Sequence, residues 1–252
     1  MPELPHPPRP DKLVILGKSG SGKSSLTKAL IRSIPRVVIF DPKGEYAAPH
    51  VVRGATPQDL YDFIRTRKRF CVSYKPESER ARRALEVRSP ERNRGKRMSL
   101  IEREFDHVSW AVYVVGALTF VAEELDQCCT SAWAGPKFGK LLRQGRTREV
   151  EMIAISRRPT EIPKDVTANM TQMVIFNSSE PGDMDYYRRR IGPAVERIPN
   201  LQTFGIDGAV VSTGLEWREG GALRLVDVDP PRKSFRFRPL GSHQEASGAD
   251  VA

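Results

Sequence analysis

The sequence predicts an α/β fold, a mainly parallel sheet flanked by helices, from three observations. Short apolar runs rich in Val, Ile and Phe alternate with segments of helical periodicity along most of the chain. The first run, Lys12 to Leu16, passes through a glycine-rich loop directly into a helix-like segment. An apolar share of 39% over 252 residues is enough for one large domain or two small ones.

The elements follow in order. Residues 1–11 are proline-rich and are expected to form an extended arm without an apolar run, so they do not resemble a signal peptide. Lys12 to Leu16 is a buried strand and Ser24 to Ile34 an amphipathic helix. Arg36 to Phe40 is a second buried strand that stops at Asp41-Pro42. Pro57 to Arg65 is helical with Thr56 as its cap, and Phe70 to Tyr74 is a short strand. Residues 77–99 break the pattern. They hold Arg80, Arg82, Arg83, Arg88, Arg92, Arg94, Lys96 and Arg97 with few large apolar side chains, as in a solvated charged helix or a mobile loop inserted in the domain.

Regularity returns with a helix over Leu100 to Val115 and a strand over Leu118 to Ala122. The stretch Val108 to Ala122 is shorter than the roughly 18 residues a membrane span needs, and it splits at Gly116, so no membrane anchor is expected. A helix over Pro136 to Gln144 is closed by Gly145. Strands over Val150 to Ser156 and Met170 to Phe176, a helix over Gly182 to Arg190 and alternating strands after Gln202 complete a domain spanning 12–240. The polar tail 241–252 is expected to be disordered, and no internal repeat is found. Cys71, Cys128 and Cys129 form neither a disulfide framework nor a zinc spacing, which favours a reducing compartment.

Gly17-Lys18-Ser19-Gly20-Ser21-Gly22-Lys23-Ser24 matches the phosphate-loop pattern G-x-x-x-x-G-K-[ST] between a strand and a helix. The glycines let backbone N–H groups close around phosphates, and the helix adds its positive end. Lys23 is placed to reach the terminal phosphates of ATP and Ser24 to complete a Mg²⁺ shell, with Ser25 next in the first turn. The strand Leu118 to Ala122 ends in Glu123 and Glu124. Glu123 is the candidate Mg²⁺ partner through a coordinated water, and Glu124 the candidate base that orients or deprotonates the attacking water. The alternative is an acid pair favoured by a helix dipole.

With 41 basic against 31 acidic residues, the chain carries a net charge of +10, which suits a polyanionic partner; simple solubility is the plainer reading.

Val38-Ile39-Phe40-Asp41-Pro42-Lys43-Gly44-Glu45-Tyr46 resembles the second-strand signature of the FtsK–HerA superfamily of P-loop DNA motors. The segment from Gly145-Arg146 to Ser156-Arg157-Arg158-Pro159 resembles that superfamily's G-R…T-Q-R-P segment, and the resemblance spans roughly residues 12–192. It implies a P-loop NTPase of RecA-like, FtsK–HerA type. It places Arg146 as an arginine finger acting on the ATP of a neighbouring subunit, and Ser156 as the sensor at its strand end. Read without the family, Arg146 lies just past a helix C-terminus, where it could satisfy carbonyls. Arg157 stands where the family has glutamine, which leaves Arg157 or Arg158 as a second finger candidate. Asp41 and Lys43 fall near the nucleotide edge by analogy, although a D-P-K-G turn also explains them.

A phosphate loop at residue 17 leaves no space for the N-terminal barrel of HerA helicases. The chain therefore resembles most the genome-packaging ATPases of tailless, internal-membrane double-stranded DNA viruses. That resemblance implies a homo-oligomeric ring, a hexamer or pentamer, that moves double-stranded DNA without reading its sequence. It further implies capsid-vertex or viral membrane proteins as docking partners, and a location at the virion packaging vertex and in the host cytoplasm, or alternatively in a bacterial cytoplasm. The segment 80–97 and Lys137, Lys140 and Arg143 are the candidate DNA-facing groups. Competing readings are another DNA-transfer ATPase of the superfamily, a small-molecule kinase and a nucleotide-dependent scaffold that does not hydrolyse.

Overall fold

The computed structural model describes residues 12–46, 50–52, 55–77, 98–201, 203–206, 209–221, 223–230 and 232–240. The expected N-terminal arm, most of the charged insertion (78–97) and the tail from 241 lie outside the described residues.

The strands are β1 (Lys12–Leu16), β2 (Arg36–Phe40), β3 (His50–Val52), β4 (Phe70–Tyr74), β5 (Leu118–Ala122), β6 (Val150–Ser156), β7 (Gln172–Ile175), β8 (Thr203–Ile206), β9 (Ala209–Arg218), β10 (Arg224–Asp229) and β11 (Ser234–Pro239). They form one sheet in the order β11-β10-β9-β7-β1-β6-β5-β2-β4-β3, with β8 paired to β9. From β7 to β3 every pairing is parallel, whereas β8 to β11 are antiparallel. The continuous apolar runs of β1, β2 and β5 are what a parallel sheet covered on both faces requires.

Side chains alternate between the two faces. Val14 and Leu16 point into a core with Phe105, Val108 and Phe138, while Leu13 and Ile15 pack with Leu26 and Ile31 on the other side. Helix α1 (Lys23–Ile31) therefore covers one face. The other is covered by α2 (Pro57–Arg65), α3 (Leu100–Val115) and α5 (Pro136–Gln144). Local signals fix these helices. Thr56 with Asp59, and Ser99 with Glu102, form reciprocal capping boxes at the starts of α2 and α3. Gly116 ends α3 at φ 65°, where a Cβ would lie 2.6 Å from the Arg148 carbonyl, so the helix must stop on a glycine.

The structure departs from the sequence reading in bounded ways. Helix α1 starts on Lys23 rather than Ser24 and ends at Ile31, and β7 is shorter than Met170 to Phe176 although both of those residues remain buried. Three short pieces escape the periodicity: β3, α4 (Leu125–Cys128) and α6 (Lys164–Ala168). Each is too brief to show a period. Helix α7 (Pro181–Ile191) runs on into a 3₁₀ stretch, Gly192–Asn200. Among the described residues no helix is long and apolar enough to cross a membrane.

Candidate functional site

Strands β1, β2, β5 and β6 all point their carboxyl ends at the same edge of the sheet, where α/β folds bind ligands. The loop after β1 is tied down there. The Gly17 N–H donates to the Arg157 carbonyl beyond β6 at 3.3 Å, and the Lys18 N–H donates to the Asn177 carbonyl beyond β7 at 3.2 Å. Gly22, at φ 102°, launches α1 with no side-chain cap and no acid in the first turn, so the helix presents its positive end to whatever lies in front. A Cβ on Gly22 would sit 2.5 Å from that of Ser212 on β9.

A cleft of about 360 Å³ opens at this edge. Ser19, Gly20, Gly22, Lys23, Ser24 and Ser25 line one wall, and Lys43, Glu45, Glu123, Glu124 and Arg157 the other. Lys23 Nζ donates to the Gly17 and Lys18 carbonyls at 2.7 and 2.8 Å, holding the loop in a closed curve. Burial pushes its ammonium below the ordinary lysine range, against the pull of Glu123 and Glu124. Ser21 Oγ is buried with no hydrogen-bond partner, and Lys18 Nζ reaches Ser179 Oγ at 2.8 Å.

Glu123 and Glu124 occupy different environments. Glu123 is 5% exposed and accepts a hydrogen bond from the Tyr46 hydroxyl. Burial first, then the neighbouring Glu124 and Glu45 carboxylates, hold its carboxyl above the usual carboxylate range. Glu124 takes the left-handed conformation (φ 49°, ψ 48°) as it launches α4, a strained setting for a non-glycine residue. That turn aims its carboxylate into the cleft, where it accepts from Lys43 Nζ at 2.5 Å and Gln127 Nε2 at 3.2 Å. Ser24 Oγ lies 3.4 Å from Glu45 Oε2, so Ser24, Glu45 and Glu123 form a cluster of hard oxygen donors beside the loop.

The remaining candidates separate. Ser156, buried at the end of β6, donates to Asp126 Oδ1 at 3.1 Å, and Arg157 holds Asp126 Oδ2 at 2.9 Å. Asp41 does not line the cleft. It is 1% exposed and accepts the N–H groups of Gly44, Glu45 and Tyr46, so its carboxylate builds the turn that carries Lys43 and Glu45 to the site. Arg146 lies in the 3₁₀ turn Gly145–Arg148 that feeds the start of β6. It is therefore at the opposite edge of the sheet from its own phosphate loop, about 20 Å away along the strand. Lys137, Lys140 and Arg143 ride on α5; Lys140 sits over Trp110 and Tyr113, and Arg143 pairs with Asp165 at 3.6 Å.

Sequence reasoning missed Asp126 and Tyr46 as parts of the site. Tyr46 lay inside the segment Val38 to Tyr46 already singled out and Asp126 two residues beyond Glu124, but only the folded chain brings Tyr46 to Glu123 across 77 positions.

Residues 11–96 match the family described as Helicase HerA, central domain. The fold is similar to that of the genome packaging NTPase B204 from Sulfolobus turreted icosahedral virus 2. For its complex with ATPγS the TM-score is 0.57 at 13% identity, over 91% of this chain and 98% of that one. For its AMP complex the TM-score is 0.56 at 15% identity, over 92% and 98%. B204 of Sulfolobus turreted icosahedral virus, described as a DNA-packaging ATPase, gives 0.53 at 14% identity over 92% and 99%. No curated protein matches the sequence. The family match and the fold bear out the resemblance to FtsK–HerA ATPases and the mainly parallel α/β architecture.

Proposed function

We propose that this chain is an ATP-hydrolysing ring motor that translocates double-stranded DNA, most naturally to package a viral genome at a capsid vertex. One observation carries the reading: Lys23, Ser24, Glu123 and Glu124 converge on a single cleft, while Arg146 stands at the far edge of the same sheet. A finger so placed can serve only the cleft of another copy, which is what a ring provides.

In that reading the loop N–H groups from Gly17 to Ser25 and the ammonium of Lys23 bind the phosphates of ATP. Ser24 would hold Mg²⁺, with Glu123 and Glu45 beside it; the cation neutralises phosphate charge when bound. Glu124 orients the attacking water and takes its proton once Lys43 yields the carboxylate. The neighbour's Arg146 stabilises charge developing on the transferred phosphoryl group. Lys140 and the basic segment 80–97 are the groups proposed to hold DNA phosphates. Lys137 and Arg143 contribute less, because burial lowers the Lys137 ammonium below the ordinary lysine range and Arg143 is paired to Asp165. Viral vertex or membrane proteins would anchor the ring.

The test is ATP hydrolysis with and without double-stranded DNA, alongside the mass of the assembly in nucleotide. Turnover stimulated by duplexes of any sequence, with DNA affinity falling steeply as salt rises, is the expected result. Stimulation by a small acceptor and not by DNA would instead indicate a kinase.

A further inference from the structure

The reading of the cleft leaves the guanidinium of Arg157 without a role. Arg157 lines the cleft together with Ser19, Gly20, Lys23 and Glu124. Its neighbour Arg158 turns away: its guanidinium bonds to buried Asp183 at 3.1 Å and lies near Glu161 and Glu180, none of which line the cleft.

The two ends of Arg157 are held differently. Its backbone carbonyl accepts the Gly17 N–H, so the Cα is fixed to the first residue of the phosphate loop. Its guanidinium, 54% exposed along the side chain, rests on Asp126, whose side chain is 6% exposed and whose other oxygen accepts from Ser156. A half-exposed ion pair is weak and exchangeable. A phosphate dianion offers the same planar fork more negative charge and two acceptor oxygens.

We propose that Arg157 is a phosphate ligand acting in cis, parked on Asp126 in the empty site and transferred to the terminal phosphate of a bound nucleoside triphosphate. Asp126 sits in the first turn of α4, the short helix that Glu124 launches. Letting go of Arg157 therefore unloads the same helix that positions the candidate base, so the presence of a third phosphate is felt at Glu124. This inference rests on the nucleotide reading of the cleft and adds to it the discrimination of triphosphate from diphosphate.

The experiment compares the affinity of ADP and of ATPγS, each with Mg²⁺, for the whole protein and for Arg157→Ala, Arg157→Gln and Asp126→Asn. Arg157→Ala should lose about 10- to 100-fold in ATPγS affinity and change ADP affinity less than about twofold. Arg157→Gln should recover part of the loss through its neutral donor, and serves if the alanine variant fails to fold. Asp126→Asn should strengthen ATPγS binding severalfold, because the guanidinium no longer leaves an anion. Equal losses for both nucleotides, or none for either, would overturn the proposal, as would an Asp126→Asn protein that loses ATPγS affinity as Arg157→Ala does. If the unaltered protein binds neither nucleotide, it is the reading of the cleft that fails.

Discussion

The two edges of the parallel sheet are built from the same strands yet set their charges in different surroundings. At the carboxyl edge, cations and anions face one another across a cleft and neutralise each other internally, Lys43 with Glu124 and Arg157 with Asp126, while Lys23 donates to two backbone carbonyls. At the amino edge, Arg146 and Arg148 flank a surface that also carries Trp110, 39% exposed and stacked on Tyr113, with Lys140 over both rings. The cleft edge closes on its own counter-charges, whereas Arg146, at the amino edge, lies out of reach of the cleft of its own chain.

The sharpest way to break that contrast is Arg146→Ala. If the finger serves a neighbour, turnover should fall about 10³-fold or more. Mixing this variant with Lys23→Ala protein should return measurable phosphate release, because one intact cleft then meets one intact finger. Mixed assemblies that stay inactive would confine the arginine to a structural role. Lys23→Ala alone removes a cation from the carboxyl edge only and should cost about 10²–10³-fold in turnover, with the loss visible in single-turnover hydrolysis.

Gly22→Ala tests how tightly the cleft is bound to the antiparallel strands. The left-handed φ and the close Ser212 contact together predict a destabilisation of about 2–4 kcal/mol in urea. Adding Ser212→Gly should recover about 1 kcal/mol of it as a coupling energy. The smallest effect concerns Glu123. Its folded carboxyl titrates above the ordinary 4.5, so the native state keeps the proton that the unfolded chain releases. Stability is thus full below about 4.5 and declines as pH rises through the higher folded value. Glu123→Gln should therefore match the parent in thermal midpoint near pH 4.5 and exceed it by about 2–4 °C at pH 8.

How much of this could be foreseen differs along the chain for physical reasons. The bounds of β1, β2, β4, β5, β6, α2, α3 and α5 coincide with the sequence reading. Buried parallel strands are continuous apolar runs, and Thr56, Ser99, Gly116 and Gly145 punctuate the helices. After residue 200 the strands mix both patterns. Asp227, on β10, faces Arg236 and Arg238 on β11, so charge appears where a sheet edge pairs its own ions, and individual strands cannot be delimited. Within the site, Lys23, Ser24, Glu123 and Glu124 were legible because a loop and a strand end place them by local geometry. The supporting partners were not. Lys43 on Glu124 is a contact across 81 positions, and Asp126 gains its meaning only when β6 arrives beside α4.

Because the cleft's charged heads already have counterparts inside the chain, the protein can reach its folded shape before any fuel is present. Arriving nucleotide trades places with these internal partners instead of completing a half-formed vessel. On the nucleotide reading of the cleft, the chain would thus keep its fold while empty.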